Sequence, residues 1–190
     1  MLTFIENIDH SLFFLINGNH NAFFDVLMWH ISGKYQWIPM YAFLLWCIIK
    51  RYKSQSWIVV VMVLIGIGIS DQSSVHLFKN QFKRYRPCHH LVLKSDVHSV
   101  QNKCGGKYGF VSSHASNTSF MALLFFFLLG RNKKYNLFKL LFLWPLLVAY
   151  SRVYLGVHYP SDVLFGSLLG FLIAWGIWKL AIQLNILRLD

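Results

Sequence analysis

The chain has 190 residues, of which 56% are hydrophobic and 13% are charged, whereas soluble domains average about 45–50% and about 25%. This composition argues against a water-soluble globule, and the 17% of aromatic residues excludes a disordered chain. Eighteen Lys and Arg against seven Asp and Glu give a formal net charge of +11, which favours anionic partners. Nucleic acid fits poorly, because the cations lie between long apolar runs rather than on one solvated stripe. The chain is therefore interpreted as a single polytopic membrane domain, residues 1–190.

The predicted elements are all helical. Residues 2–16 carry apolar side chains at helical spacing with acidic side chains off that stripe, which predicts a helix lying in the membrane interface. Later apolar runs approach the roughly 20 residues needed to cross a bilayer. They predict an all-α membrane bundle of five spanning helices, or six if the first run, which is interrupted at residues 32–35, is counted as two. The predicted spans are residues 22–49, 57–78, 114–130, 136 to about 155, and about 162–184.

Basic residues in the connections predict the orientation. The short connections at residues 50–53 and 131–134 each hold three Lys or Arg and are expected in the cytoplasm. The long polar loop at residues 79–111 and the turn at residues 153–159 then face outwards. Because the long loop itself holds seven basic residues, counting alone leaves the inverted orientation open. A phosphate-binding role would explain those seven residues independently.

With five spans alternating in direction, three groups of reactive residues fall on one face of the membrane. The Lys and Arg side chains among these residues can donate hydrogen bonds to phosphoryl oxygens, and the start of a helix adds backbone N–H donors. A carboxylate four positions after an imidazole, around a Pro turn, can orient that ring as a nucleophile. The pattern predicts a site that binds and attacks phosphate. The groups are Lys79 with Arg86, Ser112 with His114, and Arg152 with His158 and Asp162.

Three segments resemble motifs of the type-2 phosphatidic acid phosphatases, whose superfamily also contains vanadium haloperoxidases. Residues 79–87, KNQFKRYRP, match K-x6-RP, and residues 151–162, SRVYLGVHYPSD, match SR-x5-H-x3-D. Residues 111–114, VSSH, are similar to PSGH, with Val111 in place of Pro and Ser113 in place of Gly. A Ser N–H can still donate a hydrogen bond, whereas the loss of Pro is expected to make this loop less rigid and to affect rate rather than chemistry.

The resemblance implies a metal-independent lipid phosphatase with no cofactor. By this resemblance His158 attacks phosphorus to form a phosphohistidine, Asp162 orients His158, and His114 protonates the leaving oxygen. Water then hydrolyses the intermediate. The implied phosphate-binding residues are Lys79, Arg86, Ser112, Ser113 and Arg152.

The apolar spans beside the site allow a lipid tail to remain in the bilayer while the headgroup enters. Undecaprenyl diphosphate, phosphatidylglycerophosphate, phosphatidate and the phosphates of lipid A are all compatible, with a prenyl diphosphate placed first. The expected location is the inner (plasma) membrane, with the site facing the periplasm or exterior. The expected partners are the lipid substrate and membrane lipids, without nucleic acid, and the oligomeric state is left open.

Two other functions compete with hydrolysis. A lipid phosphotransferase would use the same phosphohistidine and pass the phosphoryl group to a lipid hydroxyl. A non-enzymatic anion channel or lipid carrier would use the basic cluster only to bind phosphate, which leaves the spacing of His158 and Asp162 unexplained. A haloperoxidase is disfavoured by the spans.

Two Cys lie in the long loop, and in an oxidising compartment Cys88 and Cys104 are expected to form a disulfide. A metal site that also uses His89, His90 and His98 is the alternative, although zinc sites usually have tighter paired spacing. Asp71 is expected at most to steady the basic cluster from a distance. The remaining loop cations are interpreted as headgroup anchors. They are Lys83, Arg84, Lys94, Lys103 and Lys107.

Overall fold

The chain folds into a helical bundle, and the computed structural model describes residues 2–130 and 133–187. Those two ranges contain no β-strand, only one isolated bridge between Tyr85 and Tyr108. The all-α prediction is therefore confirmed. The helices are α1 (Leu2–Asn17), α2 (Ala22–Ser32), α3 (Ile38–Tyr52), α4 (Ser56–Ser73), α5 (Asn80–Phe82), α6 (Ser113–Leu129), α7 (Leu143–Tyr154) and α8 (Pro160–Gln183).

Three helical segments of the described ranges are long and apolar enough to cross a membrane: Tyr35–Phe82, Leu137–Tyr154 and Pro160–Gln183. The first is a hairpin, in which the chain reverses between α3 and α4 at residues 53–55. α2 and α6 are shorter apolar helices. Large apolar side chains point outwards from these helices, for example Leu164 of α8, which is 67% exposed. Such an apolar outer surface is typical of a protein whose solvent is lipid.

The first apolar run does not form the single broken span predicted for residues 22–49. α2 has 11 residues and reaches only about 16 Å, whereas the hydrocarbon core is about 30 Å thick. Gly33 adopts an extended conformation that ends α2, and Pro39 in the first turn of α3 favours a new helix start. The two helices then take different partners, because α2 packs on α7 while α3 packs on α4 and α6.

The first basic connection used to predict orientation, residues 50–53, lies at the end of the bundle where α6 ends. Lys50 and Arg51, at the end of α3, line a surface pocket together with Leu129 at the end of α6. The hydroxyl of Tyr52 also donates a hydrogen bond to the carbonyl of Leu128. In the second connection, Arg131 and Asn132 lie outside the described residues. α6 begins at the opposite end, where the predicted reactive residues gather.

α6 and α8 make the closest helix contact of the site region. A Cβ atom added to Gly166 would lie 2.6 Å from the carbonyl oxygen of Ser112. One added to Gly170 would overlap the backbone of Ser116 and lie 2.8 Å from the backbone nitrogen of Phe120. Glycines spaced four apart allow this close backbone approach. The contact places the first turn of α6 beside the first turn of α8.

We therefore expect Gly170→Ala to destabilise the protein by about 1–3 kcal/mol, because the added methyl group must push α6 away from α8. Gly176→Ala on the same helix is the matched control, since a Cβ there has no neighbour within 4 Å. Thermal unfolding in detergent measures both variants. Equal unfolding temperatures would contradict this account of the α6–α8 contact.

Candidate active site

The site forms where the first turns of α6 and α8 meet the end of α7. The backbone N–H of Ser112 donates a hydrogen bond to the carbonyl of Asp162 over 2.9 Å. The segment between α5 and α6 covers this junction. Within it, Gly109 lies against the side chains of Asp162 and His158. A Cβ on Gly109 would be 3.0 Å from Oδ2 of Asp162 and 3.5 Å from Nδ1 of His158.

His158 and Asp162 are buried together at the start of α8. Nδ1 of His158 lies 3.4 Å from Oδ2 of Asp162, and each residue is at most 1% exposed. The same oxygen accepts a hydrogen bond from the backbone N–H of Tyr159 over 3.0 Å, which makes Asp162 part of the helix cap. The cap fixes the carboxylate, and the carboxylate in turn faces the Nδ1 side of the ring.

The imidazole of His158 is held in its neutral form. Burial lowers the pKa of His158 well below its usual 6.5, and three positive neighbours, Arg86, Arg152 and Lys79, lower it further. A backbone hydrogen bond with Gly109 acts in the opposite direction. The ring therefore stays uncharged as the pH falls through 6.5, and a neutral imidazole keeps the lone pair that a nucleophile needs.

Lys79 reaches the site because α4 continues through a π-helical turn, Ser74–Lys79, into α5. Such turns are frequent at functional sites. Nζ of Lys79 donates to the hydroxyl oxygen of Ser113 over 2.7 Å. The hydroxyl of Ser74 lies 2.5 Å from the same oxygen, so this Ser113 hydroxyl joins α4 to the start of α6.

Arg86 is held by the long loop. Its guanidinium donates to the carbonyl of Tyr108 over 3.2 Å and to the carbonyl of Cys104 over 3.0 Å. The structure joins Cys88 and Cys104 in a disulfide with a Cα–Cα distance of 6.0 Å. The bridge connects the residues after Arg86 to the segment that accepts its hydrogen bonds. The loop therefore fixes the guanidinium from two sides.

Arg152 enters from α7. Its Nη1 donates to the hydroxyl of Ser32 at the end of α2 over 2.5 Å. Its Nε is buried and has no hydrogen-bond partner among the described residues. Because buried donors are normally paired, this guanidinium retains capacity to bind an anion.

Ser112 and Ser113 have different environments. Ser112 is fully buried, its hydroxyl accepts a hydrogen bond from the N–H of Ala115, and its own N–H is bonded to Asp162. Its side chain is therefore a helix cap, and the prediction that it binds phosphate gains no support from its geometry. The N–H groups of Ser113 and His114 lie in the first turn of α6, where a helix offers them no carbonyl partner.

The predicted cations and imidazoles are brought together. Arg86 and Arg152 lie close enough for their charges to act on His114, Lys79 and His158 alike. Residues from the end of α4, the long loop, α6, α7 and the start of α8 thus surround one volume.

The histidines of the alternative metal site have separate partners. Nε2 of His98 lies 2.9 Å from Asp25, and Nδ1 of His90 accepts hydrogen bonds from the backbone N–H groups at residues 92 and 93. Nε2 of His89 lies 3.1 Å from the carbonyl of Gly105. The loop histidines therefore support loop conformation rather than one shared centre.

Arg84 has a role that differs from the predicted headgroup anchor. Its Nη2 pairs with Asp9 of α1 over 2.5 Å and its Nη1 with Oδ1 of Asp162 over 2.9 Å. Nη1 also donates to the hydroxyl of Ser161, and the guanidinium lies 4.3 Å from the centre of the Tyr159 ring. Arg84 therefore binds the oxygen of Asp162 that faces away from His158.

The sequence contains one signal for this contact, the carboxylate of Asp9 within the otherwise apolar α1. Asp9 is only 5% exposed and also accepts hydrogen bonds from the N–H and hydroxyl of Ser161. A buried carboxylate requires a cationic or hydrogen-bonding partner. Nothing in the local pattern identifies that partner as Arg84, which is 75 residues away.

We expect Arg84→Gln to lower the free energy of unfolding by about 2–3 kcal/mol, because two buried carboxylates lose a cationic partner. Lys94→Gln, an exposed loop substitution, is the control and should change stability by less than about 0.5 kcal/mol. Thermal unfolding of the purified protein in detergent compares them. An unchanged unfolding temperature for Arg84→Gln would show that the two ion pairs contribute little.

The chain is similar to known proteins along most of its length. The sequence model of the PAP2 superfamily matches residues 55–185. A lipid A 4'-phosphatase from Porphyromonas gingivalis is 34% identical over 181 residues, which cover 94% of this chain and 75% of that protein. An undecaprenyl-diphosphatase from Sulfolobus acidocaldarius is 34% identical over 164 residues, covering 84% of this chain and 72% of that protein.

A solved structure shares the fold. The transmembrane PAP2 type phosphatidylglycerolphosphate phosphatase from Bacillus subtilis superimposes with a TM-score of 0.71, covering 98% of this chain and 89% of that one at 21% sequence identity. The helical arrangement is therefore that of a known transmembrane fold.

Proposed function

The chain belongs to the PAP2 superfamily, and we propose that this membrane lipid phosphatase removes phosphate from a glycolipid of the lipid A type. The observation that carries the proposal is the convergence of three cations and two imidazoles on one volume at the end of the bundle. The lipid A 4'-phosphatase relative, aligned with 94% of the chain, supports the choice of substrate.

In the proposed complex Lys79, Arg86 and Arg152 bind the phosphoryl oxygens. Their positive charges neutralise the charge of the transferring group, and the N–H groups at the start of α6 add fixed donors. Arg152 supplies the buried Nε that has no partner among the described residues. Because the disulfide-bridged loop and the helices hold these groups in place before binding, little reorganisation accompanies the reaction.

His158 is the proposed nucleophile. Asp162 and Gly109 occupy the Nδ1 side of its ring, which leaves Nε2 to attack phosphorus. A nitrogen–phosphorus bond forms as the phosphorus–oxygen bond to the lipid breaks, and His114 gives its proton to the leaving oxygen. The products of this step are the dephosphorylated lipid and a phosphohistidine.

The second step reverses these roles. Water attacks the phosphohistidine, its proton passes to His114, and the nitrogen–phosphorus bond breaks to release inorganic phosphate and neutral His158. Transfer to a lipid hydroxyl instead of water would give a phosphotransferase. The two outcomes are distinguished by whether free phosphate appears in solution.

In the proposed arrangement the chain forms one domain, residues 1–190, that lies in the inner membrane. The connection at residues 50–53 and the end of α6 lie at the end of the bundle opposite the site, so a cytoplasmic location for that end puts the site on the periplasmic side. A disulfide in the loop above the site is consistent with an oxidising compartment.

A second substrate, undecaprenyl diphosphate, is favoured by the relative from Sulfolobus acidocaldarius. Phosphate release from purified lipid A, undecaprenyl diphosphate, phosphatidate and phosphatidylglycerophosphate in detergent micelles separates the candidates. We expect the highest kcat/KM on lipid A. A higher value on undecaprenyl diphosphate would replace the proposed substrate and leave the mechanism intact.

We expect His158→Ala to lose at least about 10³-fold in kcat, because the proposed nitrogen–phosphorus bond forms on the imidazole that this substitution removes. Quenching the wild type in alkaline detergent during turnover of ³²P-labelled substrate should trap an acid-labile, base-stable phosphoenzyme, which His158→Ala should lack. His76→Ala, which removes an exposed imidazole, is the matched control and should retain activity. Turnover that survives His158→Ala would refute the assigned nucleophile.

We expect activity to persist in EDTA, because Lys79, Arg86 and Arg152 supply the positive charge that a metal ion supplies in other phosphatases. Phosphate release is measured before and after dialysis against EDTA, and again after Mg²⁺ or Zn²⁺ is restored. A loss that the added metal reverses would require a different mechanism.

A further inference from the structure

A cavity of about 380 Å³ opens beside Ser113 and His114, between α3, α4, α6 and α7. Its size falls within the range of small-molecule sites. Most of its wall is apolar, but Lys34, Asp71 and Asn117 also line it. The cavity therefore combines an apolar wall with a few placed polar groups, the arrangement that binding pockets use for orientation.

Two residues that line the cavity each have a buried side-chain polar atom without a hydrogen-bond partner within residues 2–130 and 133–187. These atoms are Oδ1 of Asn117 and Nε1 of Trp144, and Trp144 is only 3% exposed. Because buried polar groups are normally paired, a ligand in the cavity would supply the missing partners. The indole N–H needs an acceptor, and the amide of Asn117 can both donate and accept.

The cavity lies on the leaving-group side of the reaction. Attacking and leaving groups are roughly in line at phosphorus, so the group that departs lies opposite His158. His114, the proposed donor of the leaving proton, lines the cavity. The part of the substrate next to the broken bond therefore enters this space.

The wall chemistry selects among possible leaving groups. A prenyl chain offers no hydrogen-bonding atoms. An ionised phosphate could pair with Lys34, but it offers acceptors only, so it cannot donate to Oδ1 of Asn117 and it would also face Asp71. A sugar ring carries hydroxyl and amide groups that donate and accept, and it presents an apolar face to aromatic rings. Trp37 and Tyr41 each lie 5.7 Å from Trp144 between ring centres, which forms such an aromatic surface.

We propose that this cavity holds the amino-sugar ring that carries the phosphate, with Asn117 and Trp144 as its hydrogen-bond partners. The inference rests on the proposed glycolipid phosphatase function and names the residues that select the headgroup. The acyl chains of the glycolipid remain in the bilayer beside the apolar wall.

The test compares Trp144→Phe and Asn117→Leu with the wild type on lipid A and on undecaprenyl diphosphate. Trp144→Phe keeps the aromatic ring and removes only the N–H, so its fold is expected to survive, and thermal unfolding checks this. Trp57→Phe, at a side chain 65% exposed, is the matched control for loss of an indole. We expect kcat/KM on lipid A to fall about tenfold more than kcat/KM on undecaprenyl diphosphate, mainly through a higher KM.

Equal losses on the two substrates, or no loss on lipid A from either variant, would overturn the proposed sugar site. Failure of the proposed function is a separate result, because it appears in the wild type as absence of phosphate release from lipid A. Binding of lipid A to the His158→Ala background, followed by tryptophan fluorescence, provides a readout without turnover. The fluorescence change is expected in His158→Ala and should become smaller when Trp144→Phe is added, with Trp37 of the same wall supplying the remainder, whereas a change of undiminished size would overturn the proposal.

Discussion

The close approach of α6 and α8 is the contact on which the site depends. Gly166 and Gly170 let the two backbones meet, and this meeting places the cap of one helix against the first turn of the other through the bond from Ser112 to Asp162. In a bilayer, where apolar side chains gain nothing by leaving lipid for protein, such small-residue packing is a principal source of helix association. The same contact that assembles the bundle therefore assembles the reactive groups.

The charge distribution around this contact is suited to an anion. Three cations lie close together with Asp162 as their buried acidic neighbour, and one oxygen of that carboxylate is already paired with Arg84. The remaining positive charge is only partly balanced by the protein. A phosphoryl group completes the balance, and in a low-dielectric setting this attraction is stronger than in water. Binding and transition-state stabilisation thus arise from the same preorganised charges.

Much of the arrangement follows from spacing along the chain. No predicted membrane crossing separates the first motif from the second, and two crossings separate the second from the third, which is enough to predict that Lys79, His114 and His158 share one end of the bundle. Capping by Asp162 also follows from Pro160 and its neighbours, which mark a helix start. These are local or topological properties, and the sequence expresses them directly.

Other features depend on contacts that local pattern does not determine. The pairing of Asp9 with Arg84 joins residues far apart in the chain. The different roles of Ser112 and Ser113 depend on which of the two hydroxyls faces Lys79. The separate packing of α2 and α3 follows from the conformation of Gly33. Likewise, Asn117 and Trp144, whose buried Oδ1 and Nε1 lack partners among the described residues, come to line one cavity only when four helices pack around it.

The bond between Asp9 and Ser161 spans 152 residues, and this separation has a consequence for biosynthesis. The first helix leaves the ribosome long before the last helix is made, so its carboxylate lacks the two Ser161 donors while the intervening helices enter the membrane. A chain that ends before His158 keeps the first two motifs but lacks the nucleophilic imidazole and the carboxylate of Asp162. We therefore expect phosphatase activity to begin only after α8 has been made and inserted, and shorter products to remain inert in the membrane.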